Sequence, residues 1–95
     1  MMMMRITIRF FGDLIPLLGR VQSLELKEGT KVGALSGMIT QKAGGRVQES
    51  LRDHRFEGSE LVILINGRNI ATLDGPETAL MDGDIVAFIP PFAGG

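Results

Sequence analysis

Polar and apolar residues alternate from Arg5 to Phe10, which places Ile6, Ile8 and Phe10 on one face of a strand. Gly12-Asp13 interrupts the pattern. Asp13 to Gly19 gathers Leu14, Ile15, Leu17 and Leu18 around Pro16, too short for a well-developed helix and too apolar for a free loop, so a packed turn is expected. Alternation resumes from Val21 to Lys27 with Leu24 and Leu26 inward, and two strands so closely connected read as an antiparallel pair. After Glu28-Gly29 the period changes. Val32, Leu35, Met38 and Ile39 recur at helical spacing, with Thr30 placed as N-cap and Gly44-Gly45 as the stop. Gly33 and Gly37 each cost about 1 kcal/mol relative to Ala inside a helix, so this helix depends on docking against a sheet.

Arg46 to Glu60 carries Val47, Leu51 and Phe56 at loose helical spacing among charges, and reads as either a second short helix or an ordered loop. Leu61 to Ile65 is a continuous apolar run ending at the turn signal Asn66-Gly67. Asp74-Gly75-Pro76 and Asp82-Gly83-Asp84 are further turns, and Ile85 to Ile89 is a second continuous apolar run. A strand pair, a helix and two more strands make an α+β domain, a sheet with one helix across a face. One helix covers one face, yet both late strands are apolar at consecutive positions. Either the second face exposes Val, Leu, Ile or Phe to a partner, or 46–60 folds under and covers it.

Composition narrows the function. At 95 residues, 44% apolar and 22% charged, a single domain over 1–95 can bury a core without metal or disulfide staples. The absence of cysteine removes disulfides, cysteine zinc sites and thiol nucleophiles. A net charge of −1 with no Trp or Tyr does not suit nucleic-acid binding. Met1 to Met4 is followed at once by Arg5, and no later apolar run approaches the ~20 residues that span a bilayer, so a soluble, uncleaved, cytoplasmic chain without membrane contact is expected. His54, the lone histidine, has no Ser or Cys nucleophile in a recognisable motif and reads as a solvated imidazole. Asp82 and Asp84 fall short of a calcium or magnesium loop, and no segment matches GxGxxG or GxxxxGKS/T, so no metal or nucleotide site is expected in this chain.

The unusual feature is the tail, Pro90-Pro91-Phe92-Ala93-Gly94-Gly95. Two residues without Cβ are slim enough to thread a narrow channel, and the prolines hold a flexible tail, 91–95, clear of the last strand. Its five residues extend on the order of 16 Å at ~3.3 Å each. A carboxylate is a poor electrophile, so chemistry at Gly95 requires an acyl adenylate made in another protein's ATP site. On the two glycines alone, a disordered terminus is the better account.

They do not stand alone. Leu61 to Gly67 and then Leu80 to Gly95, with the Asp-Gly-Asp turn, apolar strand, Pro-Pro and Gly-Gly in fixed order, closely resemble the small sulfur-carrier subunit of molybdopterin synthase, the MoaD family. Phe10-Phe11-Gly12-Asp13-Leu14 through Leu18-Gly19 is similar to that family's first strand and turn. The resemblance implies a ubiquitin-like β-grasp fold, a mixed sheet with one main helix packed across one face. It implies that a ubiquitin-activating-type adenylyltransferase adenylates Gly95, that a sulfur donor protein converts it to a thiocarboxylate, and that the large synthase subunit receives the tail. The sulfur then serves molybdenum or tungsten cofactor synthesis. Gly94 gives passage through the partner's channel, and Phe88, Pro91, Phe92 and Ala93 are the expected partner contacts, with Phe92 packing back on its own sheet as the alternative. The chain would bind no cofactor and catalyse nothing alone, since ATP and Mg belong to the activating partner. A sulfur carrier without thiols can hold sulfur only at its carboxyl terminus, which agrees with the missing cysteine. A ubiquitin-like protein modifier, a thiamine- or tRNA-pathway sulfur carrier and a non-covalent β-grasp interaction module stay open.

Overall fold

The computed structural model describes residues 2–43 and 62–89. The first alternating stretch forms strand β1, Met3–Phe10, in which Met4, Ile6, Ile8 and Phe10 are buried. It begins two residues earlier than the pattern suggested, because consecutive methionines mask the alternation that puts Met4 inward and Met3 outward. β2, Val21–Lys27, pairs with it antiparallel from Met3↔Lys27 to Arg9↔Val21. Between them, a 3-10 turn at Gly12–Leu14 runs into the one-turn helix α1, Ile15–Leu18, and burial of Leu14 and Leu18 makes this the packed turn expected. The Gln22 side-chain amide donates to the Leu18 carbonyl at 2.8 Å, satisfying a helix-end acceptor.

Helix α2, Val32–Ala43, buries Val32, Leu35 and Ile39 completely against the strands. Two expectations change there. Met38 is 43% exposed, since the helical period turns it off the stripe that its neighbours bury. Thr30 is not an N-cap acceptor; its hydroxyl donates to the Lys27 carbonyl at 2.6 Å, and the Lys31 carbonyl accepts from the first-turn N–H groups of Ala34 and Leu35. Gly33 lets the helix approach the loop at Pro76, where a Cβ would stand 3.1 Å from both the Pro76 Cβ and its carbonyl oxygen. Lys31 and Glu77 add an exposed ion pair at 2.8 Å, whose hydrogen bond and charges raise the lysine pKa and lower that of the carboxyl group. The expected helix stop Gly44-Gly45 and the stretch 46–60, with His54, lie outside the described residues.

β3, Val62–Ile65, turns at Asn66-Gly67, where φ values of 52° and 87° match the positive-φ pair favoured in two-residue hairpins. A short strand not anticipated from the sequence, β4, Arg68–Asn69, follows. β5, Ile85–Ile89, completes a five-stranded sheet in the order β2-β1-β5-β3-β4. β5 is parallel to β1 and antiparallel to β3, and α2 packs on one face of this mixed sheet, the β-grasp arrangement implied by the resemblance. No helix among the described residues is long and apolar enough to cross a membrane.

Candidate functional site

The strand that leads into the tail is the central one. β5 is paired with β1 on one side as far as Phe88 and with β3 on the other as far as Ile89, so the strand that precedes the tail is held laterally on both sides until its last residue. Val86 and Phe88 anchor it downward, fully buried, with the Phe88 ring centroid 5.8 Å from that of Phe10.

The start of β5 is held by the Asp82-Gly83-Asp84 turn. Asp82 accepts the Arg5 backbone N–H at 2.8 Å, and the Gly83 N–H donates back to the Arg5 carbonyl at 2.9 Å. Asp84 accepts the Met81 N–H at 2.8 Å and, through its other oxygen, the Asn66 side-chain amide at 2.9 Å. Asn66 in turn accepts the Ile85 N–H at 3.0 Å. Both carboxylates therefore serve the turn, as the Asp-Gly-Asp spacing suggested, and the β3–β4 turn is tied to the strand that precedes the tail.

The face opposite α2 is apolar along its middle. β3 contributes Val62 and Leu64, and β5 contributes Ile85, Ala87 and Ile89; four of these are half-buried and Ile85 is 46% exposed. No described element packs across them. The register sets Val21, Arg9, Ala87 and Leu64 in one row across four adjacent strands, with Ser23, Thr7 and Ile85 in the next. The continuous apolar runs do leave apolar side chains on a second face, as expected. Whether 46–60 covers that face falls outside the described residues.

Among the expected partner contacts, Phe88 is corrected: its ring is 0% exposed, because β5 alternates and position 88 shares the inward side with Val86. Ala87 and Ile89 take the outward positions on either side of it. Pro91, Phe92, Ala93, Gly94 and Gly95 lie outside the described residues. The sequence reading passed over Arg9, Val21 and Ile85, which the register gathers on the same face as Leu64 and Ala87. Alternation alone could have turned Arg9 and Val21 outward; only the strand order makes them neighbours of β5.

Known proteins share this arrangement. Small archaeal modifier protein 3 of Haloferax volcanii is 30% identical over 93 residues, covering 97% of this chain and 100% of the relative. The solution structure of small archaeal modifier protein 1 from Methanosarcina acetivorans matches with a TM-score of 0.75 at 29% identity, covering 100% of each chain. A Pyrococcus furiosus structure, provisionally named molybdopterin converting factor, subunit 1, matches with a TM-score of 0.71 at 25% identity over 94% of this chain and 99% of its own. These likenesses make the protein a ubiquitin-like carrier or modifier. The model of the ThiS family matches residues 8–95, a span that takes in the end of β1, all of β2, β3 and β5 and the tail, and the chain belongs to that family.

Proposed function

We propose that the chain is a sulfur carrier whose Gly95 carboxyl group is adenylated and then converted to a thiocarboxylate. The carboxylate oxygen attacks the α-phosphorus of ATP in a ubiquitin-activating-type enzyme and pyrophosphate leaves; hydrosulfide released by a donor protein then attacks the acyl carbon, AMP leaves, and the S–H proton passes to solvent. ATP and Mg belong to that enzyme. The observation that carries this reading is the central, doubly paired β5 running directly into Pro90-Pro91 and the Gly94-Gly95 pair. Ile89, the last described residue before the tail, stands on the apolar outward side of β5, and Gly94 and Gly95 offer no side chain to obstruct a narrow entry. Pro91, Phe92 and Ala93 are the contacts proposed for the partner's entry, with Phe92 filling a pocket beside it.

For the acceptor we infer the pterin of a molybdenum or tungsten cofactor, with the large synthase subunit receiving the tail; the name of the Pyrococcus furiosus relative supports this. A second reading, covalent attachment to lysines through the same activated glycine, is favoured by the name of the Haloferax volcanii relative. Both use one activation step and differ in the nucleophile that follows. Incubation with ATP, a sulfur donor and the cognate activating enzyme, followed by intact-mass measurement, tests the proposal. The expected product carries one sulfur in place of one oxygen at Gly95. Adducts on other proteins without any thiocarboxylate would point to the modifier reading, and no change with an enzyme competent on another carrier would remove both.

A further inference from the structure

The sheet face opposite α2, open among the described residues, carries an unbalanced charge. Among the described residues of the strands, Arg5, Arg9 and Lys27 stand on it with a single carboxylate, Glu25, although the whole chain has a formal net charge of −1. Arg5 is engaged, its guanidinium 3.3 Å from the Glu25 carboxylate. Lys27 lies at the far end, opposite Met3. Arg9 differs from both: the register sets it between Val21 and Ala87, with Leu64 next in the row. Its guanidinium carbon lies 5.8 Å from the centroid of the Phe11 ring, and no carboxylate among the described residues pairs with it.

A guanidinium flanked by apolar side chains is stable while water solvates it. Covered by a purely apolar surface, it would lose that hydration without replacement. A protein that docks across Val21, Ala87 and Leu64 must therefore offer an anion over Arg9, and the planar donor fork suits a carboxylate gripped at two points. The site also lies near the tail: Ile89, the last described residue of β5, is two residues beyond Ala87 on the same side of the strand.

We propose that Arg9 selects the activating enzyme, by pairing with a carboxylate set among apolar side chains on the enzyme surface that covers this face. The proposal rests on the reading of Gly95 as the activated group, since an enzyme that takes in the tail must grip the domain beside the tail's origin. Arg9 is then a positioning residue, acting through docking and not on the reacting carboxyl group.

The test titrates the purified chain into its cognate activating enzyme at low and high salt, and follows ATP-dependent adenylation of Gly95 in parallel. Arg9→Gln is expected to weaken binding about tenfold and Arg9→Glu further, while Arg9→Lys recovers only part of the loss. Wild-type affinity should fall with salt more steeply than that of Arg9→Gln. Lys31→Gln removes a positive charge on the helix side and should bind as wild type does. Circular dichroism checks that each variant folds. Unchanged affinity in a folded Arg9→Glu variant, or no binding by the wild-type chain, overturns the proposal. Arg9-dependent binding without adenylation would overturn the carrier reading alone, and adenylation through Arg9-independent binding would overturn the role of Arg9 alone.

Discussion

Gly33 and Gly37 both sit inside α2, but a side chain at each would meet different surroundings. At Gly37 there is nothing within 4 Å of a Cβ, so Gly37→Ala should stabilise the protein by about 1 kcal/mol through helix propensity, read as a higher urea midpoint. Gly33→Ala should forgo that gain, because its Cβ would press on Pro76 backbone at 3.1 Å. Asn66 is the other informative residue. Asn66→Asp would set a carboxylate against Asp84 where an amide now donates at 2.9 Å, and a loss of about 1–3 kcal/mol is expected from chemical denaturation. The Asn-Gly pair was legible as a turn because two adjacent positive φ values are costly for most other residues. Its side-chain link to Asp84 and Ile85 was not, since those partners lie 18 and 19 residues away in the chain.

At the scale of elements, β3 and β5 each alternate between a buried and an outward side, although both read as continuously apolar. Ile63→Glu should unfold the protein, since Ile63 is buried in the core. Leu64→Glu, one position on and half-buried on the open face, should weaken binding to the activating enzyme more than it weakens folding. Titration against the enzyme and thermal unfolding of the same variants separate the two effects; equal losses at Leu64 would make the open face part of the core. The long elements were legible from their periods. β4 was not, because Arg68 and Asn69 have no strand-like pattern and form a strand only by pairing with Ile65 and Leu64. Thr30 and Met38 went astray for a related reason: cap choice and the exact limits of a helix stripe depend on what docks against the helix, here the strands below and the loop at Pro76.

For the whole molecule, the proposed carrier role makes the sheet and helix the display and the tail the reacting group. Deleting Gly95 should abolish thiocarboxylate formation and leave the thermal unfolding midpoint close to that of the full chain, because a terminal glycine has no side chain to bury. An unfolded deletion variant, or one that still carries sulfur, would contradict that division of labour. By itself, the order of residues determined the strand and helix periods, most of the core set, the absence of thiols and the Gly-Gly ending. Those are local or compositional properties, carried by each segment without reference to the others. Only the tertiary structure decided that β5 inserts between β1 and β3, that Phe88 faces the core, and that Arg9 lies in a row with Val21, Ala87 and Leu64. Periodicity tells which residues share a side of their own strand. Which strands become neighbours is settled by hydrogen-bond pairing between distant segments and by the helix that covers one of two apolar faces.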